Sequence, residues 1–162
     1  MTRQLLSIAL AAAASLAPVP VWANVVRPAP DFTIAGGKTA RSLRGQPLVI
    51  IVAPGPESKE FRKQVSKLEK DYHRFAAQNA IFVAAFTTSN GEGLRSSIPF
   101  AVALNGAELA ARYGVQGSFA LLVVGKDGNL DLRTARISGA YAVRDAILNN
   151  YERQAATHRV ER

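Results

Sequence analysis

Hydrophobic and polar positions follow two different periods along this chain, one typical of strands and the other typical of helices. Residues 48–53 form a continuous apolar run, Leu-Val-Ile-Ile-Val-Ala, that is rich in β-branched side chains. A run that is apolar on both faces is typical of a central strand covered by helices on both sides. Residues 81–86, Ile-Phe-Val-Ala-Ala-Phe, repeat this pattern. The sequence therefore predicts two buried strands.

The segment between these strands has the period of an amphipathic helix. From about residue 57 to residue 78, apolar side chains recur at steps of four, three, four and three residues: Phe61, Val65, Leu68, Tyr72 and Phe75. This spacing predicts one long helix with a single apolar face, which ends near Asn79. A strand, a helix and a second strand in this order form a βαβ unit, whose two strands are parallel.

Turn signals divide the rest of the chain. Residues 32–43 surround a Gly-Gly pair and predict a small hairpin before the first buried strand. Asn105, followed three residues later by Glu108, is typical of a capping box and predicts a helix from Gly106 to Tyr113. Two more strands, at 119–124 and 130–137, meet at an Asp-Gly turn.

A closing amphipathic helix is predicted from Ala140 to about Tyr151, because Val143, Ile147 and Tyr151 follow at steps of four. We assign residues 24–150 to one folded domain and residues 151–162 to a polar tail. The composition agrees with this: 48% of the 162 residues are hydrophobic and 20% are charged. These values exclude disordered, fibrous and multi-span membrane classes.

The first 23 residues have the layout of a secretory signal peptide. A positive start with Arg3 precedes an apolar stretch at 5–16, and Val21-Trp22-Ala23 provides small residues for cleavage after Ala23. The apolar stretch is about 12 residues long, whereas a bilayer core requires roughly 20. We therefore expect a secreted or periplasmic protein without a transmembrane segment after signal removal.

The charge balance favours anionic partners. The chain has 20 Lys and Arg residues against 12 Asp and Glu residues, a net charge of +8. An exported protein does not meet nucleic acid, so we expect an acidic protein partner or an anionic envelope surface. Basic residues follow the predicted long helix as a stripe: Lys59, Lys63, Lys67, Lys70 and Arg74. An ordinary solvated face is the alternative interpretation of this stripe.

Few side chains suit catalysis. The chain has no cysteine, which excludes disulfides, thiolate metal sites, iron–sulfur clusters and thiol mechanisms. Glu69 and His73 are four residues apart, the spacing of a weak metal pair or a general-base pair on one helix face. Two ligands without a third do not make a zinc site, so we favour a surface histidine flanked by charges. Ser58 is expected to cap the long helix or to lie in its first turn, since no histidine is near it in sequence. We predict no catalytic residues, no metal and no cofactor.

The order of predicted elements resembles the thioredoxin-like superfamily, in particular its secreted thioredoxin-like reductases and peroxiredoxins. Local strings agree with this resemblance: Ala-Pro-Asp-Phe-Thr-Ile at 29–34, Leu-Arg-Gly-Gln-Pro at 43–47, Tyr-Gly-Val-Gln-Gly at 113–117 and Gly-Lys-Asp-Gly at 125–128. The resemblance covers roughly residues 28–150. It implies an α/β fold with a central mixed sheet, helices on both faces and an N-terminal β-hairpin extension.

The resemblance also indicates where this family carries its thiols, and this chain has other residues there. In the register of the reductases, Pro56 and Lys59 stand in place of the two cysteines. In the register of the peroxiredoxins, Pro54 and Ser58 belong to the motif and Phe61 stands in place of the reactive cysteine. The chain is therefore similar to a branch of the superfamily that lacks the catalytic cysteines.

Phe119 stands where the family has a cis-proline, and we expect a trans bond there because a cis bond without proline costs about 2.5 to 4 kcal/mol. A helix that begins beside Lys59 is able to bind an anion without redox chemistry. The candidate ligand region consists of Pro54, Gly55, Pro56, Glu57, Ser58, Lys59, Phe61, Ser118 and Phe119.

These observations predict a redox-inactive protein that binds or scaffolds an envelope partner or an anionic ligand. The alternative is an enzyme that uses a non-thiol site of the same fold, which requires a deep pocket with convergent polar groups near Ser58, Lys59 and Phe119. An oxidoreductase label taken from the fold would not describe thiol activity in this chain, because thiolate is the nucleophile of that chemistry. The oligomeric state stays open.

Overall fold

A computed structural model describes residues 28–149 of the chain. The predicted signal peptide, its cleavage site, the end of the closing helix and the polar tail lie outside these residues. The sheet contains β1 (Leu48–Ala53), β2 (Ile81–Phe86), β3 (Phe100–Val102), β4 (Ala120–Val124) and β5 (Leu130–Thr134). The helices are α1 (Lys59–Glu69), α2 (Tyr72–Ala76), α3 (Gly106–Arg112) and α4 (140–149), and a short 3-10 helix covers Arg41–Leu43.

Strand β1 lies at the centre of a mixed sheet whose strand order is β3-β2-β1-β4-β5. It pairs in parallel with β2, where Leu48 faces Ile81, and antiparallel with β4, where Leu48 faces Val124. Every residue of β1 is buried. The predicted central strand and the predicted βαβ unit are therefore confirmed.

Alternate side chains of β1 belong to two different core clusters, because successive residues of a strand point to opposite faces. Val49 and Ile51 pack in the cluster that contains side chains of α1, α2 and α4. Ile50 and Val52 pack in the cluster that contains side chains of α3 and of the N-terminal segment. The sheet thus has helices on both faces, as the sequence predicts.

The predicted long helix is wrong in one respect, because it is divided between α1 and α2. Asp71 has φ −114° and ψ 14°, outside the helical region, and its N–H donates to the carbonyl of Leu68 at 3.1 Å. The Asp71 carbonyl then accepts from the N–H of Arg74 at 2.9 Å. Aspartate favours helix ends over helix interiors because it bonds nearby backbone groups. The apolar face continues across the break, since Leu68 and Phe75 are both buried.

The N-terminal segment pairs less extensively than the predicted hairpin. A single antiparallel bridge joins Thr33 to Thr39 around the Gly-Gly turn, and residues 41–43 form a 3-10 helix instead of a strand. The same segment covers the edge of the sheet beside β3. The N–H of Ala35 donates to the carbonyl of Val102 at 2.8 Å, and the N–H of Leu104 donates to the carbonyl of Thr33 at 2.9 Å. This pairing protects an edge strand that would otherwise present open backbone groups.

The predicted capping box at the start of α3 is confirmed. The side-chain oxygen of Asn105 accepts from the N–H of Glu108 at 3.0 Å, and the Asn105 amide donates to the Glu108 carboxylate at 3.1 Å. The first residue of the helix, Gly106, lies directly on the end of β2. A Cβ atom at Gly106 would be 2.1 Å from the carbonyl oxygen of Phe86. The close approach of helix and strand therefore requires a glycine.

A buried glutamine fastens α1 to the segment that precedes α4. Gln64 is completely buried, and its amide donates to the carbonyl of Ser138 at 2.9 Å while its oxygen accepts from the N–H of Ser138 at 2.9 Å. Both polar ends of the amide are thus paired inside the protein, as burial requires. Among the described residues, no helix has the length and apolar character that crossing a membrane requires.

Tyr113 attaches the N-terminal segment to the end of α3. Its ring is buried, and its hydroxyl donates to the carbonyl of Pro30 at 3.0 Å. Burial raises the pKa of the Tyr113 phenol well above its ordinary value, and the nearby Asp31 carboxylate adds to this effect. The neutral phenol is therefore the form that the folded protein holds.

We expect Gly106→Ala to lower the free energy of unfolding by about 1 to 3 kcal/mol, the usual cost of overpacking. The added methyl group meets backbone atoms of Phe86, which cannot rotate away. Gly117→Ala is the matched control, because a Cβ atom there meets nothing within 4 Å. Urea unfolding of both variants checks the prediction, and equal midpoints would contradict it.

We expect Tyr113→Phe to change how stability depends on pH. At pH 8 the variant should be less stable by about 1 kcal/mol, because the hydrogen bond to Pro30 is lost. Above pH 10 the unfolded phenol ionises while the folded one stays neutral, so the wild type should lose up to about 1.4 kcal/mol per pH unit more than the variant. The stability difference between the two proteins should therefore disappear near pH 11.

Urea unfolding at pH 8 and at pH 11 measures this difference. Tyr141→Phe, which changes an exposed ring, is the control. If wild type and Tyr113→Phe keep the same stability difference at both pH values, burial does not raise the pKa of the Tyr113 phenol in the folded protein, and the prediction is wrong.

Candidate functional site

The carboxyl ends of the parallel strands β1, β2 and β3 meet at one edge of the sheet, where the connection from β1 to α1 lies against the loop that follows β2. The Thr88 hydroxyl donates to the carbonyl of Pro54 at 2.9 Å, and the Thr88 N–H approaches the same oxygen at 3.1 Å. A Cβ atom at Gly55 would be 3.5 Å from Cβ of Ser89. The predicted ligand region thus begins in a segment that the neighbouring loop holds in place.

Ser58 has the N-cap position of α1, but its side chain makes no capping hydrogen bond. Its Oγ atom is buried and has no hydrogen-bond partner. The backbone supplies the local order instead, because the Ser58 N–H donates to the carbonyl of Gly55 and the Ser58 carbonyl accepts from Arg62, each at 3.1 Å. Glu57 is exposed beside the serine, with its carboxylate 3.8 Å from the Arg62 guanidinium. The cap predicted for the Ser58 side chain is therefore not formed.

Phe61, the residue aligned with the reactive cysteine of the peroxiredoxins, is a core residue. Its side chain is 2% exposed. The centre of its ring lies 5.1 Å from that of Phe86 and 5.5 Å from that of Phe100. Such tilted and edge-on arrangements of rings are favourable. Position 61 therefore presents no side chain to a substrate.

Phe119, which the resemblance aligns with a cis-proline of thioredoxin-like proteins, is also a core residue. It is 5% exposed and packs in the same cluster as Phe61. None of the described residues follows a cis peptide bond, so the expected trans bond before Phe119 is confirmed. Ser118, directly before it, is exposed. Within the candidate ligand region, Phe61 and Phe119 are thus packed in the core and are not accessible to a ligand.

The basic stripe lies on the opposite side of α1 from Phe61. Its members on this helix and at its C-terminus, which we call the lysine face, are exposed: Lys59, Lys63, Lys67 and Lys70. Within residues 28–149, no carboxylate lies within 4.0 Å of the ammonium groups of these lysines. Arg74 belongs to α2, where its guanidinium is 3.6 Å from the Asp71 carboxylate. The break between the helices therefore separates Arg74 from the four lysines.

The break also separates Glu69 from His73. The Glu69 carboxylate accepts from the Ser97 hydroxyl at 2.7 Å. In the part of the chain that the structure describes, no group of three His, Cys, Asp or Glu residues is arranged to hold a metal ion.

A pocket of about 250 Å³ lies on the other face of the sheet, beside α3. Sequence reasoning missed it, and it does not include Ser58, Lys59 or Phe119. The charged side chains of the pocket bond to each other, because Nη2 of Arg112 is 2.5 Å from the Glu108 carboxylate. Its lining residues are Phe32, Thr33, Leu104, Asn105, Glu108, Leu109 and Arg112.

No protein-family model matches the chain, and no curated protein matches its sequence. Solved structures match its fold. A protein of Chlorobium tepidum named as the thiol:disulfide interchange protein DsbE has a TM-score of 0.62 at 17% identity, over 76% of this chain and 95% of that one.

Two further structures agree. The bacterioferritin comigratory protein of Xanthomonas campestris, studied for alkyl peroxide reduction, has a TM-score of 0.56 at 16% identity, over 78% of this chain and 92% of that one. A secreted disulfide oxidoreductase of Mycobacterium tuberculosis has a TM-score of 0.52 at 19% identity, over 73% and 94%. Together with the sheet order, these likenesses show that the chain is a cysteine-free protein of the thioredoxin-like fold.

Proposed function

We propose that this protein is a non-catalytic binding module of the cell envelope, and that its lysine face docks an anionic partner. One observation carries the proposal. Phe61, aligned with a thiol in the register of the peroxiredoxins, and Phe119 are buried aromatics. The lysine face, which includes Lys59 of the reductase register, is exposed and has no described carboxylate within 4.0 Å.

The geometry of α1 supports a collective role for these lysines. Lys59, Lys63 and Lys70 are four and seven residues apart, so they project from the same side of the helix. Charges of one sign on one side repel each other, and this repulsion is relieved when an anionic surface approaches. Because the side chains are exposed, salt should weaken the attraction strongly.

An enzymatic alternative has less support. Thiol chemistry requires a thiolate, and the chain has no cysteine. A serine nucleophile requires an adjacent base, whereas the Oγ atom of Ser58 has no hydrogen-bond partner. The pocket beside α3 has its Arg and Glu side chains paired with each other.

The envelope location has two supports. Residues 1–23 have the layout of a signal peptide, with cleavage predicted after Ala23. One of the structures with the same fold is described as a secreted disulfide oxidoreductase. A secreted or periplasmic site would also bring the lysine face next to anionic envelope components.

We expect the change of Lys59, Lys63, Lys67 and Lys70 to Glu to weaken binding of polyglutamate, a simple anionic probe, by at least about tenfold at low salt. Fluorescence anisotropy of labelled polyglutamate measures the affinity. Wild-type binding should also fall as salt is raised from low to physiological concentration.

The control is a second variant with the same change in net charge, made at exposed basic residues outside the lysine face: Lys38, Arg41, Arg95 and Arg136 to Glu. This control should retain most of the wild-type affinity. If the two reversed variants bind polyglutamate equally, the binding reflects total charge and the lysine face is not the site.

A further inference from the structure

We infer that the lysine face and the outer side of α4 form one docking surface for a bilayer that contains anionic phospholipid. This inference rests on the proposed function, because it names the partner of the same lysines. It adds a second helix to the surface and commits the partner to lipid.

The two helices lie on the same face of the sheet. Val65 of α1 and Ile147 of α4 belong to one core cluster. The buried amide of Gln64 joins α1 to Ser138, just before α4 begins, through two hydrogen bonds of 2.9 Å. The outer sides of α1 and α4 therefore belong to one helical layer of the protein.

The outer side of α4 carries two exposed hydrophobic side chains, together with the exposed carboxylate of Asp145. Tyr141 is 77% exposed and Leu148 is 40% exposed, while Val143 and Ile147 are buried. Tyr141 and Leu148 are seven residues apart, about two helical turns, so they share one side of the helix. Among the described residues, these two and Leu104 are the large hydrophobic side chains that stand out of the surface. Exposure of apolar side chains to water is unfavourable, so two such side chains on one side of a helix indicate a surface that binds a partner.

A helical layer that exposes lysines together with a tyrosine and a leucine fits a lipid headgroup layer better than an acidic protein. Protein interfaces are depleted in Lys and enriched in Arg, whose planar group pairs with carboxylates in a fixed geometry. Lysines on flexible stems suit a diffuse layer of phosphates, and each one near an anionic leaflet adds to the attraction. A tyrosine ring prefers the boundary between headgroups and acyl chains.

The local charge balance agrees with this partner. Residues 59–70 contain five basic and two acidic side chains. Arg144 and Asp145 of α4 add one side chain of each sign, so basic side chains outnumber acidic ones by six to three over residues 59–70 and 140–149. The exposed carboxylate of Asp145 is the group of the outer side of α4 that an anionic surface would repel. The attachment would be peripheral, with side chains reaching the headgroup region while the helices stay on the sheet.

The test is co-sedimentation of the purified protein with two kinds of vesicle, phosphatidylcholine alone and phosphatidylcholine mixed with phosphatidylglycerol. Wild type should sediment with the phosphatidylglycerol vesicles and stay in solution with phosphatidylcholine alone. Tyr141→Ser combined with Leu148→Ser should weaken vesicle binding about tenfold and leave polyglutamate binding unchanged, because the lysines remain. Leu104→Ser, which changes the exposed leucine on the other face of the sheet, is the matched control and should bind as wild type.

The outcomes separate the two proposals. Binding to polyglutamate without binding to phosphatidylglycerol vesicles would overturn the lipid inference and keep the proposed function, with an acidic protein as the partner. Binding to neither probe would overturn both. If the Tyr141 and Leu148 substitutions leave vesicle binding unchanged, α4 is not part of the docking surface. That result would overturn the inference that two helices form it.

Discussion

The packing of Phe61 against Phe86 and Phe100 fixes how α1 is rotated on the sheet. With this ring in the core, at 5.1 Å and 5.5 Å from its two neighbours, residues 59, 63 and 70 point away from the sheet. The same contact therefore buries position 61, which the register of the peroxiredoxins aligns with a thiol, and turns the lysine face, including Lys59 of the reductase register, to the outside. Val65 and Leu68 are buried on the same face of α1 and favour the same rotation. The burial of position 61 and the exposure of the lysine face both follow from the orientation of α1 on the sheet.

The rest of the fold keeps the frame that thioredoxin-like proteins use, without the groups that react. Gly106 brings α3 onto the end of β2, and Gln64 holds α1 to the segment before α4. The connection that starts at Pro54 is still held by the loop after β2. In this frame position 61, aligned with a thiol in the register of the peroxiredoxins, and position 119, aligned with the cis-proline, both hold buried aromatic side chains. This frame with an exposed basic surface agrees with the proposed binding role.

Much of the fold could be predicted from local patterns. The apolar runs of β1 and β2 indicated buried strands, and Asn105 with Glu108 indicated the start of α3. Each of these signals is contained within a few consecutive residues, so the sequence alone shows it. The break between α1 and α2 was not predicted, since the apolar spacing continues past Asp71 and hides the helix end. The role of Gln64 was not predicted either, because a glutamine in a helix is normally exposed and its partner Ser138 lies 74 residues away.

The candidate site was predicted in position but not in form. The resemblance aligned Phe61 and Phe119 with the site, yet only the packed core shows that both rings are buried. The pocket beside α3 escaped prediction because Phe32 and Leu104 come from distant parts of the chain. The exposure of Tyr141 and Leu148 was not predicted, because the closing helix was identified from the spacing of the residues on its buried side. For the two buried rings and the pocket, the missing information was a contact between elements far apart in sequence.

The central claim is that position 61 belongs to the core and position 59 to the surface. The most direct test introduces one thiol at a time into the cysteine-free chain, as Phe61→Cys and Lys59→Cys, and measures its reaction with a chromogenic disulfide reagent. Circular dichroism first shows that both variants are folded. The account predicts immediate reaction of the thiol at position 59, slow reaction at position 61 that is limited by opening of the protein, and equal rates in denaturant. Equally fast reaction of both thiols in the folded protein would contradict it.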